Sequence, residues 1–354
     1  MPAPQAPSRS SLAGPLGRAE AAPAGLSDAD YEALLGADGA DLRALTTLAD
    51  SVRRDTLGDG LTFVANRNLD TAVAGRPGAE DLVDALVDEA RALGATEICL
   101  QGPLPAEAPD DGYRALVARI TGRAPLHLHA FRPAEIADGA RRAGLGVAEH
   151  LAALREAGLG SVPGTGAKIL DDELRTTLLG GPDLPVAEWV ALIEAAHAAG
   201  LRSTSTIIHG HLESPAQVVA HLRTLAAIQD RTGGFSEFIA MPMTPDTTPP
   251  HLAGRIRGAD EREVRAVHAV ARLLLHGRID HVQAAWPKLG PELTRTVLAG
   301  GADDVGGLLL DGRLLPGAGP EEGLELTRTE IDATAAALGR TVRQRTTLYD
   351  VPAR

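Results

Sequence analysis

Eight times between Leu61 and Leu308 a short apolar run is followed by an amphipathic helical stretch, and this alternation leaves few folds open. The strand candidates are Leu61–Ala65, Glu97–Gln101, Leu126–Ala130, Gly160–Val162, Ser203–Ile208, Glu237–Met241, His281–Ala285 and Asp304–Leu308. Between them the apolar positions fall on one helical face. In 80–93 the stripe is Leu82, Val83, Leu86, Val87, Ala90 and Leu93. In 214–231 Ser214 caps, Pro215 takes the first turn, and Val218, Val219, Leu222, Leu225 and Ile228 face inward. A helix near 185–199 opens at Pro185 and stops at Gly200. Connections of this kind, roughly a dozen residues or more, permit parallel crossovers. The fold class expected is α/β, a (β/α)8 TIM-type barrel, partly open. An open doubly wound sheet is the runner-up, but no G-x-G-x-x-G follows the first strand.

A helical pattern over Ser27–Arg54 precedes the barrel, and an extended tail, Thr341–Tyr349, follows its last helix. Residues 1–26, rich in Ala, Pro, Ser and Gly, read as a disordered leader, and 27–350 as a single barrel with N-terminal helical and C-terminal extensions. The net charge of −13 and the absence of any Lys/Arg run argue against nucleic acid. No stretch approaches the roughly 18 apolar residues of a membrane span, so the expectation is a cytoplasmic protein. The one cysteine, Cys99, excludes an internal disulfide.

Barrel enzymes work where the strands end and the βα loops converge. The residues there are polar: Asn66 and Asn68, Gln101 and Gly102, His127 and His129, Gly164 and Thr165, His209 to Glu213, Gln283, Trp286 and Lys288, and Asp304. His127/His129 and His209/His211 are two apart, so each pair points to one side of its strand. Two such pairs are a conceivable metal site. Hydrogen-bonded lining is the preferred reading, and no metal is expected. Asp171, Asp172 and Glu173 open a helix, where acids also suit the helix dipole. The set His129, His211, Glu213, Lys288 and Asp304 would suffice for acid–base chemistry.

Several of these stretches resemble one family. His127-Leu-His129-Ala-Phe-Arg-Pro, Gly160-Ser161-Val-Pro-Gly164-Thr165, Ile169-Leu-Asp171-Asp-Glu173-Leu-Arg175, Thr204-Ser-Thr206 with His209-Gly-His211-Leu-Glu213, Gln283 with Trp286-Pro-Lys288, Gly301-Ala-Asp-Asp304 and Arg343-Gln-Arg345-Thr-Thr-Leu-Tyr349 are similar, in order, to the FO-synthase branch of the radical S-adenosylmethionine (SAM) proteins. The half that joins tyrosine's hydroxybenzyl fragment to 5-amino-6-ribitylaminouracil fits best, and the menaquinone-pathway aminofutalosine synthases are related. The resemblance implies a radical SAM barrel on the route to the deazaflavin coenzyme. It implies substrate contacts at Asn66, Asn68, His129, Glu173, His211, Glu213, Gln283 and Trp286. It implies SAM contacts, where retained, at Gln101, Gly102, Ser161, Gly164 and Thr206.

One departure is large. The family's Cys-x3-Cys-x2-Cys loop, which holds a 4Fe–4S cluster after the first strand, is absent: Asp70 leads through Gly75 and Gly78 directly into helix 80–93. Pro103 also replaces a family glycine, and Asp311-Gly312 replaces an acid pair. A cluster is therefore not expected, whereas SAM is retained as a candidate ligand. The expected function is a cluster-free paralog that binds a ribityl-pyrimidine, tyrosine or SAM without radical chemistry. The alternatives are a repurposed non-radical enzyme, or an active transferase whose cluster is supplied unconventionally. The expected partners are a small molecule and another deazaflavin- or menaquinone-pathway enzyme.

Overall fold

A computed structural model describes residues 12–314 and 323–351. Ten parallel strands run through it: β1 Gly60–Val64, β2 Asn66–Asp70, β3 Glu97–Gln101, β4 His127–Ala130, β5 Ser161–Val162, β6 Arg202–His209, β7 Phe235–Pro242, β8 Val282–Ala284, β9 Asp304–Gly307 and β10 Thr341–Gln344. Their order is β10-β1-β9-β8-β7-β6-β5-β4-β3-β2. The sheet curls back on itself, because β1, one strand in from the β10 end, and β2, at the other end, are separated only by Ala65. The Ala65 carbonyl accepts from Thr96 and Glu97 on the β3 side, and the Val64 carbonyl accepts from Leu308 on the β9 side. The result is a TIM-like partial barrel with helices outside, as the alternation requires.

The helices follow their caps. Ser214 accepts from the Gln217 N–H while Gln217 accepts from the Ser214 N–H, a reciprocal pair at the start of helix Pro215–Thr232. The inward stripe Val218, Val219, Leu222, Leu225 and Ile228 is buried as the periodicity predicts. Each such side chain contributes roughly 1.5–3 kcal/mol. The apolar residues divide into two large clusters, one over β1 and β6–β9 and one over β2–β5.

Three expectations are corrected. The stretch after the first strand, which reads as loop, forms β2 on β3; the extended tail does pair, as β10 on β1 from Gly60↔Thr341 to Phe63↔Gln344. The helical pattern of 27–54 is two helices, Asp28–Leu35 and Gly39–Leu57, because Gly36 ends the first and the Asp38 carboxylate caps the second. The leader is ordered from Leu12 onward. Helix Ala13–Ala21 buries Ala19, Arg18 pairs with Asp30, and the Tyr31 hydroxyl donates to the Pro23 carbonyl at 2.6 Å. Tertiary contacts thus fix a segment whose composition alone suggests no structure. The remainder of the expected leader, residues 1–11, lies outside the described residues. No described helix is long and apolar enough to cross a membrane.

Candidate active site within the barrel

Alternation along the strands sends every second side chain into the barrel. Asn66 and Asn68 from β2, Glu97, Cys99 and Gln101 from β3, His129 from β4, Glu237 and Met241 from β7 and Gln283 from β8 line one cavity, which Trp286 and Lys288 also border. Its volume is about 160 Å³. A dry cavity of about 150 Å³ accepts one benzene, so this space takes a single six-membered ring. Its walls are largely apolar, with Val64, Ile239 and Leu309 among them, and amide, imidazole and carboxylate groups are set into them, which favours a ring with a few hydrogen-bonding edges.

Close backbone approaches shape the walls. Side chains added at Gly306 and Gly307 would overlap Gln283 and Asn66. The Asn66 carboxamide accepts from the Leu309 N–H at 2.9 Å and donates to Asn68 at 3.0 Å, and the Trp286 indole N–H donates to the Gly307 carbonyl at 2.9 Å. Lys288 makes no ion pair or side-chain hydrogen bond with a described residue, so its ammonium is available at the mouth.

His129 is 7% exposed, and burial, with His127 and Arg345 nearby, pushes its pKa down to about 3. Its Nδ1 lies 2.7 Å from the Ser161 hydroxyl, which is also 2.7 Å from Nε2 of His127. Ser161 therefore orients the imidazole and is itself buried. Gly164 and Thr206 stand further back. The Gly164 N–H donates to the Thr204 hydroxyl and its carbonyl accepts from Thr206. A Cβ on Gly164 would strike the Thr204 carbonyl, so Gly164→Ala is expected to lower the unfolding free energy by about 2 kcal/mol or more in a urea titration. A loss under about 0.5 kcal/mol would show that the strands part freely.

Other predicted site residues lie away from the cavity. His211 and Glu213 close the turn after β6. The Glu213 carboxylate accepts from the Gly210 N–H at 2.5 Å and the His211 N–H at 2.9 Å. Burial works to raise that carboxyl, but His211 and the backbone donors outweigh it and hold it at about 2. Glu213 opens onto a separate small pocket with His209 and Arg262. Glu173 is exposed on the first turn of helix Asp172–Leu179. Gly102, at φ +92°, faces the Asp70 carboxylate. Asp304 is fully buried below the cavity, accepting from Arg345 at 2.5 Å and from Thr62 at 2.5 Å.

That floor holds functional groups the sequence reading did not select. Arg345, just after β10, also reaches Glu237 at 3.2 Å and lies 4.0 Å over the Tyr349 ring. The Tyr349 hydroxyl donates to Glu237 at 2.8 Å, and the Thr347 hydroxyl donates to Glu97. Burial raises both acids. In Glu237 the Arg345 charge opposes this, Asp304 and Glu97 add to it, and the carboxyl is pushed up to about 7. The sequence offered two signals: an acid at the start of each of two apolar runs, and the place of Glu237, in Gly233-Gly-Phe-Ser-Glu237-Phe, and of Arg345 and Tyr349 in stretches that carry the family resemblance.

The donor set does not fit a 4Fe–4S cluster. The Asp70 carboxylate accepts from the Ala72 N–H at 2.6 Å and caps a one-turn helix, Thr71–Ala74. The following Gly75 packs so tightly on Leu104 that a Cβ would overlap it. Three thiolates cannot come from Cys99 alone. Among the described residues no group of three or more His, Cys, Asp or Glu is placed to hold a metal ion.

No family model matches the sequence. The FO synthase of Mycobacterium tuberculosis (strain H37Rv) is 47% identical over 351 residues, 94% of this chain and 41% of that protein. The FO synthase of Streptomyces coelicolor is 42% identical over 347 residues, 92% of this chain and 40% of that one. The chain thus spans about two fifths of the FO synthases it matches. Against the 5-amino-6-(D-ribitylamino)uracil–L-tyrosine 4-hydroxyphenyl transferase of Methanothermobacter thermautotrophicus it is 36% identical over 336 residues, 89% of this chain and 91% of that one. Methylornithine synthase shares the fold with a TM-score of 0.66 at 18% identity, covering 96% of this chain and 97% of that one. So does the FeFe-hydrogenase maturase HydG of Carboxydothermus hydrogenoformans, with a TM-score of 0.68 at 13% identity, covering 92% of this chain and 77% of that one. At 36% identity over 91% of the archaeal transferase, the family is shown: the chain belongs to the FO-synthase family.

Proposed function

We propose that this chain is a cluster-free member of its family that binds a polar ring compound, of the ribityl-pyrimidine class, without radical chemistry. The observation that carries this reading is the pairing of a ring-sized barrel cavity, apolar walls bearing a few hydrogen-bonding groups, with a chain that has no thiolate triad. Reductive cleavage of SAM requires an electron, and side chains do not supply one; that chemistry belongs to a cofactor. What the residues can do is bind. Asn66 and Asn68 offer amide edges, Gln283 and His129 hydrogen-bond from opposite walls, Trp286 supplies an aromatic edge, and Lys288 guards the mouth. The archaeal relative's name points to 5-amino-6-(D-ribitylamino)uracil as the first ligand to try, with tyrosine and SAM beside it. A carrier or accessory role beside another enzyme of the same pathway follows from binding without turnover.

Isothermal titration with these three compounds tests the reading. The ribityl-pyrimidine is expected to bind, and Gln283→Ala to weaken it about tenfold, the equivalent of one hydrogen bond at ~1.4 kcal/mol. Silence across all three compounds, or purified protein that carries stoichiometric iron and yields 5′-deoxyadenosine, would overturn it. A non-radical enzyme is the second reading, favoured by one observation: Lys288 and the acids Glu97 and Glu237 share a cavity, so a base and an acid face one ligand.

A further inference from the structure

Glu97 and Glu237 are 5% and 3% exposed, yet both line the cavity. One oxygen of each is engaged. Oε2 of Glu97 accepts from Thr347, and Oε2 of Glu237 accepts from Tyr349 and Arg345. Oε1 of each accepts from no described residue and stays open to the cavity. Two nearly buried acceptors thus face the space where a ring fits.

We propose that the cavity floor is a recognition site for a nitrogen cation or amino group carried on a six-membered ring, with Glu97 and Glu237 as its paired acceptors. This deepens the reading given under Proposed function and rests on its claim that the cavity takes a ring. The charge balance supports it. Glu97, Glu237 and Asp304 surround the single guanidinium of Arg345. That guanidinium is committed: its Nε and Nη2 donate to Asp304, Nη2 also reaches Glu237, and its face lies over Tyr349. The floor offers an anion no free donor, whereas a cation relieves the surplus of acid. Lys288 at the mouth completes a gradient that turns the nitrogen-bearing edge of a ring downward.

Other groups around the acids do not titrate near neutrality. His129, from β4, is held neutral down to about pH 3. Tyr349 and Arg345 are both raised well above their ordinary values. Glu237 does titrate there, being pushed up to about 7, so a cation should bind more weakly at pH 6, where the acid is protonated, than at pH 8.

Fragment titration by ligand-observed NMR, with benzamidine, benzyl alcohol and benzoate as probes, decides it. At pH 8 benzamidine is expected to bind about tenfold tighter than benzyl alcohol, in keeping with a charge-assisted contact, and benzoate not at all. The preference should shrink at pH 6. Glu97→Gln and Glu237→Gln, which keep shape, should each reduce it to about threefold or less, with melting curves showing that the variants fold. Equal affinity for benzamidine and benzyl alcohol in the unmodified protein, or an unchanged preference in both folded variants, overturns the proposal. If benzamidine shows the preference and the ribityl-pyrimidine does not bind, the ligand identity fails and this site stands. If the ribityl-pyrimidine binds and the Gln variants hold it equally well, the reverse holds.

Discussion

Moved from pH 7.5 to pH 5, the protein is expected to lose its cooperative fold. Five histidines are buried; burial lowers His150 and holds the other four down, His129, His209 and His221 at about 3 and His268 at about 4. Their hydrogen bonds show why a second proton has no place. His221 Nδ1 accepts from the Leu170 N–H at 3.0 Å while its Nε2 donates to the Thr206 carbonyl at 3.0 Å, so protonation would break the first bond. His268 Nδ1 donates to the Val264 carbonyl, and its Nε2, like that of His209, is sealed without a partner. In an unfolded chain these rings take up protons near pH 6.5. Their stabilisation is therefore complete above 6.5 and is lost as pH falls toward 3–4. At pH 5 each costs about 2 kcal/mol, and four together about 8 kcal/mol, against a total stability of roughly 5–15 kcal/mol. Glu237 acts in the opposite sense. Its folded pKa of about 7 exceeds the unfolded one, so it recovers about 2 kcal/mol over the same interval. The histidines outweigh it. Near-ultraviolet circular dichroism and emission from the buried Trp189 should show one transition between pH 6.5 and 5. His268→Leu should move the midpoint to lower pH. A native signal persisting at pH 4.5 would contradict the account.

Arg345→Met should cost about 3–5 kcal/mol in urea unfolding at pH 8, the usual result of leaving a buried charge unpaired. The side chains of Arg345, Asp304 and Glu237 are 2%, 0% and 4% exposed, so the substitution leaves two largely buried acids without the cation that faces them. Lysine should rescue little, because one ammonium cannot reproduce the fork that spans Asp304 and Glu237. The loss should shrink at pH 6, where Glu237 is protonated, and Asp304→Asn in the same chain should restore part of it. A cost below about 1 kcal/mol would mean that the acids are screened by water.

The fold was legible wherever apolar side chains repeat, and helix Pro215–Thr232 and strands β3, β4 and β6 lie close to where periodicity puts them. It was not legible where the barrel interior is polar. Asn66-Arg67-Asn68 reads as loop, yet Asn66 and Asn68 line the cavity and Arg67 is fully buried, paired with Glu89 at 2.7 Å and bonded to the Leu86 and Leu314 carbonyls. Helix Ala13–Ala21 carries few local signals and depends on distant contacts. For the site, the rule that chemistry gathers where strands end picked out His129, Asn66, Asn68, Gln101, Gln283, Trp286 and Lys288, which line one cavity. It also selected His211 and Glu213, whose polar side chains instead satisfy their own turn, a use that spacing does not reveal. It passed over Glu97 and Glu237, which occupy the lower ends of their strands and become a floor only when the tail folds back beneath them.

That returning tail governs the order of assembly. Thr347 and Glu97 are 250 positions apart along the chain. During synthesis the ribosome must pass all of the barrel strands before Arg345 can neutralise the acids of β7 and β9, so until then the half-built lumen must stay hydrated. Contacts this remote in sequence slow folding, so closure of the floor is expected to come late.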